Sequence, residues 1–568
     1  MTKRKNMALA LAMTLLLGTA AGCAGGNNTG GNNTGNTGGG AAQGSQPSAT
    51  EGESGTGATT GTADGKYDPP IEVTAVRSVA ASLKFENGDT ISDNAWTRLY
   101  EDELGIKLKY LWVSDNTQYE QKLNVMMASG ELPDIMPVPG VKMKQLYDAG
   151  LLTDLSALLE QYGSEHTLDF LGRDGGNALD SATFGGELVG LPLNPGSTDS
   201  APLLWIREDW RTKLGLPEPR TMDDLLKIAE AFVSQDPDGN GKPDTVGLGV
   251  DKLLFAGLGG LEGFFNGYHA YPGIWVEQAD GSLAYGSVQP EMKTALAKLA
   301  ELYKAGVIDR EFGVKNTEQL IQDFNSGRLG IYYGQHYTPI LLQDGKNNNP
   351  DLELKPYPLP SADDQPAKPQ MAFSIPEYYV VSKDAKHPEA AIKLLNAYLE
   401  PRSREDYPVE EYSNNGDVEK WQYALLKGSN PTQNLDAYVN VKKALEANDR
   451  SILDETTPDP YVFDTLSSYY NGEVAGWGYT MVFGEGGAQS LLHDYNERDA
   501  FQPTAFNSAP TTAMSEQQAT LSKLELETFT KIIMGEASVD AFDSFVESWK
   551  RLGGDLMTQE VAEWKASK

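Results

Sequence analysis

Leu203 to Gly249 reads LLWIREDWRTKLGLPEPRTMDDLLKIAEAFVSQDPDGNGKPDTVGLG, and it holds the helix, loop and strand from which an α/β lobe is built. Met222, Leu225, Leu226, Ala229, Phe232 and Val233 recur at the three- and four-residue spacing of one helical face. Thr221 stands where an N-cap is needed, and Asp224 follows three residues on as an acidic variant of the capping box. Pro217 and Pro219 block continuation from upstream. After the helix, Asp236, Asp238, Asn240 and Asp244 put oxygen side chains at loop positions 1, 3, 5 and 9, with Gly241 at 6 and Lys242 at 7. Alternate residues of a tight loop point inward, and a hard cation takes six to eight oxygens at about 2.3 to 2.6 Å, the carbonyl at position 7 among them. The spacing predicts a structural calcium loop over residues 236–244, with Asp236, Asp238, Asn240, Lys242 and Asp244 as ligands. Position 12 is Gly247, not the usual Glu, so another ligand or water completes the shell. A metal-free turn is the alternative, because Asp, Asn and Gly also favour turns. Thr245 to Leu248 is then a short strand.

At the other end of the chain, Lys3, Arg4 and Lys5 precede an apolar run from Met7 to Leu17 and then small residues before Cys23. The run is too short to span about 30 Å of hydrocarbon, so residues 1–22 read as a signal peptide. Leu17-Gly-Thr-Ala20-Ala21-Gly22-Cys23 resembles a lipobox, which implies lipidation of Cys23. Cys23 is the only cysteine, so no internal disulfide can form and the fold stands on its core. Residues 23–66 are almost entirely Gly, Asn, Thr, Ala and Ser, a composition that cannot bury enough apolar surface to fold. They read as a flexible tether spanning roughly 35 Å.

The remaining residues exceed a single core, so at least two domains are expected. Strand, helix, strand, helix, strand is legible from Ile71 to Met136: strands at Ile71 to Val76 and Ile106 to Trp112, helices around Trp96 and Tyr119, then a strand after Pro133. That alternation predicts a parallel sheet covered on both faces. The net charge of -34 excludes nucleic acid and anionic lipid as partners and leaves neutral or cationic solutes, or proteins with basic patches.

Trp205-Ile-Arg207-Glu-Asp-Trp210, Lys213-Leu-Gly-Leu216, the capped helix and DPDGNGKPD together resemble the bacterial extracellular solute-binding proteins of family 1, and among them the long LipO-type lipoproteins of ABC importers. The turn Ser129-Gly-Glu-Leu-Pro-Asp-Ile135, the helix opening at His387-Pro388 and the closing segment Phe542 to Gly554 extend the resemblance from about residue 70 to the end. It implies a two-lobed periplasmic-binding-protein-like fold of type II, each lobe a mostly parallel sheet flanked by helices. The expected divisions are 69–195 plus 360–402 for lobe 1 and 196–359 plus 403–568 for lobe 2, with hinge crossings near 190–205, 355–375 and 400–410. It further implies a monomer, anchored by lipid to the outer face of the cytoplasmic membrane in a Gram-positive type of envelope. Its partners would be an oligosaccharide or similar polar solute and the transmembrane subunits of an ABC permease.

No two of the five histidines sit at metal-ligand spacing, and neither a G-x-S-x-G elbow nor a phosphate-binding P-loop occurs. A sugar ring has one apolar face, so its sites stack it on Trp or Tyr and hydrogen-bond its hydroxyls. Trp275, Tyr333, His336, Trp477 and Tyr479 lie in Gly-rich, non-amphipathic segments and are candidates, with Trp112 and Asn116 at a strand end on the expected cleft side. Trp96, Trp421 and Trp549 fall on helix faces and read as core. Two rival readings stand beside the importer: a surface enzyme acting on polysaccharide through a carboxylate pair, and a non-transport lipoprotein that senses solute or holds wall polymer.

Overall fold

Nine strands carry the architecture of the computed structural model: β1 Ile71–Val79, β2 Ile106–Asp115, β3 Ile135–Val138, β4 Leu191–Pro192, β5 Leu203–Arg207, β6 Val246–Leu248, β7 Leu329–Gly334, β8 Leu354–Tyr357 and β9 Tyr378–Val381. The structure describes residues 65–80, 83–193, 198–255, 257–373, 375–400, 408–415, 418–428, 430–455 and 457–568. The expected signal peptide, Cys23 and nearly all of the tether lie outside them.

The first sheet has the order β2-β1-β3-β9-β4. β1, β2 and β3 run parallel, and β9 runs antiparallel to both its neighbours. Helix α1, Asn116–Ser129, makes the crossover from β2 to β3 and is capped by Asp115, whose carboxylate accepts from the amides of Thr117 and Gln118. Asp134 clips β3 to β1: its carboxylate accepts from Thr74 N at 2.7 Å and Thr74 Oγ1 at 2.6 Å. That is the positioning role its place in the turn predicts.

The second sheet, β8-β5-β7-β6, departs from the mostly parallel expectation. β5 is antiparallel to both β7 and β8, and only β6 and β7 run parallel. The reason is topological. β5 brings the chain into this sheet and β8 takes it out at the same edge, so the two must run in opposite directions. Leu203, Trp205 and Tyr332 pack on one face, and Leu204, Ile206, Ile331 and Tyr333 on the other, so both faces are buried. Helix α2, Met222–Ser234, covers the second face with Leu225, Ile228, Ala229 and Phe232, and its capping box is present in both directions. The WIREDW motif is structural: Arg207 forms a fork with Asp209 at 2.8 and 2.6 Å and stacks over Trp210, 4.5 Å from the ring centroid.

Around the first sheet packs helix α3, Ala390–Leu399. Val418, Tyr423, Ala424, Leu425 and Leu426 join that core as well, and so depart from the expected assignment of 403–568 to lobe 2. Arg77 in β1 holds this segment by donating to the carbonyls of Gln422, Tyr423 and Ala424 at 2.7, 2.8 and 3.2 Å. Residue 367 packs instead in the second core, and Gln370 and Met371 pair with Gln502 and Pro503, so the stretch after 360 does not yet belong to lobe 1. Gly428 lies against Phe170 and Leu193 of the first lobe, whereas Asn434 is bonded to the second. The third passage between cores therefore falls near 428–434, later than the expected 400–410, of which residues 401–407 lie outside the described set. Four helices complete the second lobe: α4 Gln433–Ala447, α5 Asp459–Tyr470, α6 Trp477–Phe483 and α7 Ala488–Glu497. A 22-residue helix, α8 Thr512–Ile533, then seals the second core with Leu521, Phe529, Ile532 and Ile533.

Candidate ligand-binding site

Strand register locates the side at which the two cores meet. The chain leaves the first sheet after Pro192, which pairs with Tyr378, where the chain returns; Tyr378 in turn faces Val138 at the carboxyl end of β3. In the second sheet the corresponding edge holds Leu203, Gly334 and Tyr357. The passages that follow Pro192 and precede Tyr378 join these two edges. Open α/β sheets bind ligands outside the carboxyl ends of their parallel strands, and here that is the edge of β1, β2 and β3 facing the passages.

On the second-sheet side, β7 ends at Gly334 and delivers Gln335 and His336 to this edge. His336 Nδ1 lies 3.2 Å from the carbonyl oxygen of Asp199, and Nε2 lies 3.4 Å from Nδ2 of Asn434 in α4. The Asp199 carboxylate accepts from Asn434 Nδ2 at 2.8 Å and from Gln489 Nε2 at 2.7 Å. Four segments distant in sequence thus build one polar node. Gln489 is fully buried, and its Oε1 has no partner among the described residues. The Tyr337 ring stands edge-on to His336 at 5.7 Å and is partly exposed.

On the first-sheet side, Glu377 precedes β9 and its carboxylate accepts from Tyr379 Oη at 3.1 Å. Tyr119 Oη donates to the carbonyl of Pro137 at 2.6 Å. Burial beside the Arg77 guanidinium pushes the Lys427 ammonium down to about 8, partly offset by Glu377. This edge therefore carries a carboxylate and two cationic groups in a partly desolvated setting.

Of the predicted site residues, only His336 falls in this arrangement. Tyr333 is fully buried under the helix Glu262–Asn266, so close that a Cβ on Gly263 would come within 2.4 Å of its ring. Trp275 is 5% exposed and packs between Tyr285 and Phe506, with ring centroids at 5.5 and 6.5 Å. Trp477 is buried at the start of α6. The glycines around it serve close packing: a Cβ on Gly476 would meet Thr465 O at 2.5 Å and one on Gly478 would meet Ile340 Cα at 2.8 Å. None of these three rings can stack a ligand as they stand. Tyr479 is half-buried on α6, edge-on to the exposed Tyr461 at 5.4 Å. Asn116 is exposed in the first turn of α1, and Trp112 lies against Tyr119 at 5.4 Å in a groove along that helix. No spacing in the sequence links Asp199, Glu377, Lys427, Asn434 and Gln489, so none of them stands out there as a candidate.

In the loop after α2, Asp236, Gly239 and Gly241 all take positive φ, at 48°, 75° and 74°, which curls the backbone inward. The Asp236 carboxylate accepts from the amides of Asn240 and Gly241 at 3.1 and 3.0 Å. Asn240 Nδ2 lies between Asp238 Oδ2 at 2.6 Å and Asp244 Oδ1 at 3.0 Å. Packing next to Asp236 raises the Asp238 carboxyl, as burial and a like charge must. Among the described residues no three His, Cys, Asp or Glu side chains stand close enough to hold a metal ion, this loop included. The donor set, three carboxylates and an amide, is nevertheless all oxygen, which fits a hard cation; turning the Asn240 amide would replace its NH2 by the oxygen such a cation takes.

Residues 84–405 match the family described as bacterial extracellular solute-binding protein, which is more than half of the chain. The chain belongs to that family. Among the solute-binding proteins similar to it are lipoprotein LipO of Bacillus subtilis (strain 168), 25% identical over 473 residues, covering 81% of this chain and 86% of the relative. Another from the same strain is the polygalacturonan/rhamnogalacturonan-binding protein YtcQ, 24% identical, covering 80% and 85%. Two solved structures bear on the fold alone. One is an HMO-binding ABC-transporter-associated solute-binding protein from Bifidobacterium longum infantis, TM-score 0.59 at 18% identity, covering 87% of this chain and 98% of that one. The other is an EF-hand mutant of the Streptococcus pneumoniae substrate-binding protein FusA in complex with fructo-nystose, TM-score 0.54 at 16% identity, covering 88% and 100%. The chain thus has a substrate-binding role on an α/β solute-binding fold.

Proposed function

We propose that this chain is the substrate-binding lipoprotein of an ABC importer, capturing an oligosaccharide between its two lobes and delivering it to a membrane permease without a chemical step. The observation that carries the proposal is the polar node of Asp199, His336, Asn434 and Gln489 at the edge where the chain enters the second sheet. Amides, an imidazole and a carboxylate are the groups that pair with sugar hydroxyls, and Tyr337 supplies a ring beside them. Glu377 and Lys427 would meet the same solute from the first lobe when the passages flex. YtcQ is a polygalacturonan/rhamnogalacturonan binder by its description, which supports this solute class.

Calcium held by Asp236, Asp238, Asn240, Asp244 and the carbonyl of Lys242 would fasten the end of α2 to β6, away from the node. It would supply structural charge neutralisation only. Cys23, once acylated, would hold the chain at the outer face of the cytoplasmic membrane, and the lobes would work as a monomer.

The test is thermal unfolding of the chain from residue 24 against panels of oligosaccharides, peptides and amino acids, with calcium or a chelator, followed by chromatography of the ligand. A sugar at a hundred times its Kd should add about 2.7 kcal/mol and come back intact, and chelator should lower the melting temperature. A cleaved sugar would move the chain to the enzyme reading, and a panel without any shift would remove the solute assignment.

A further inference from the structure

We infer that the groove between the bulged edge strand β2 and the outer flank of α1 is a second glycan site, distinct from the node, that binds a neutral polysaccharide chain. The inference rests on the reading of this protein as a glycan binder and extends it to a surface away from the passages.

β2 is the outermost strand of its sheet, and Ala75 pairs with Tyr110 while Val76 pairs with Trp112, so Leu111 is an extra residue in a bulge. Neighbouring strand residues ordinarily point to opposite faces. Here Leu111 and Trp112 both line one groove, the re-aiming that bulges at sheet edges produce. The opposite wall is a helical stripe at three- and four-residue spacing, Gln118, Gln121, Lys122, Val125 and Ser129, closed beyond the helix by Glu131. The cavity measures 730 Å³. Its helical wall runs from Gln118 to Ser129, about 17 Å at 1.5 Å per residue, a length suited to a chain.

The lining selects the occupant. Leu111 is 48% and Val125 67% exposed, leaving an aliphatic surface beside the half-buried indole of Trp112, over which Lys122 Nζ stands 5.7 Å from the centroid. Two side-chain amides, a hydroxyl, one ammonium and one carboxylate complete it, so the groove is locally neutral within a body of net charge -34. Apolar ring faces edged by hydroxyls match that lining, whereas an anionic polymer would be repelled by the body as a whole. Such a site would keep a long chain beside the lobes that capture its fragments.

Affinity electrophoresis of the chain from residue 24 through gels containing amylose, galactomannan, arabinan or levan tests this. One gel should retard the wild type, with Trp112→Ala and Val125→Glu each weakening retention about tenfold. Val125→Glu, on an exposed position, should keep its melting temperature and its oligosaccharide shift even where Trp112→Ala is less stable. Retention unchanged in Val125→Glu overturns the proposal, as does retention lost together with the oligosaccharide shift. So does the failure of every gel to retard a wild type that an oligosaccharide stabilises, or a change of oligomeric state in Val125→Glu, which would make the groove a protein contact. Retention without any oligosaccharide shift would sustain the groove while removing the node.

Discussion

The Asp199 carboxylate accepts hydrogen bonds from both Asn434 and Gln489, at 2.8 and 2.7 Å, so one residue just ahead of β5 ties α4 and α7 to the passage between lobes. Asp199→Ala leaves two amide donors without their acceptor and should cost about 2 kcal/mol of stability. It should also loosen the helix that carries Asn434, weakening sugar binding. Urea unfolding monitored by far-UV circular dichroism checks the first effect and calorimetry the second; an unchanged midpoint would mean the node is loosely held.

Tyr333 separates a core role from a binding role. Its hydroxyl is buried and has no partner among the described residues, and burial raises the phenol far above its usual range. Tyr333→Phe should therefore leave sugar affinity unchanged and leave stability the same or raise it by about 1 kcal/mol. A drop in affinity would return Tyr333 to the site.

Arg77 is 4% exposed and spends its fork on three carbonyls of the segment 422–424. Arg77→Ala strands those carbonyls and should destabilise the chain by about 3 kcal/mol. Arg77→Lys should recover only part of this, because an ammonium lacks the planar fork. Denaturant midpoints of the two variants give the comparison.

Glu525 in α8 is 6% exposed, and burial pushes its carboxyl from 4.5 up to about 7, against a partly compensating hydrogen bond from Ser287. The fold prefers the protonated acid, so the stability it lends is full below pH about 4.5 and is lost as pH rises through about 7. Glu525→Gln keeps a neutral group at all pH values. It should be more stable than the wild type by about 3 kcal/mol at pH 8, with the difference shrinking toward pH 5. Equal differences at both pH values would show that the carboxyl is not held neutral.

Much of the fold could be read directly from residues. Thr221 and Asp224 announced their capping box, the Leu225 to Phe232 face its core, and Asp134 its clip on Thr74. The direction of β5 against β7 was not legible, because it follows from where the chain enters and leaves a sheet. Trp275, Tyr333 and Trp477 are buried where the sequence suggests open loops, for one reason: glycine beside an aromatic signals loop freedom and close packing alike, and here Gly263, Gly476 and Gly478 make room for packed rings and helices. The node escaped because its members come from segments 137 and 235 residues from Asp199 and beyond, with no periodicity to connect them.

The most direct test of the account is titration calorimetry of His336→Ala against the oligosaccharide that stabilises the wild type. A Kd weaker by about tenfold, roughly 1.4 kcal/mol, is expected, with the sugar recovered intact and the ligand-free melting temperature little changed. An unchanged Kd in a folded variant would contradict it, because the solute would then bind somewhere other than the edge where the two cores meet.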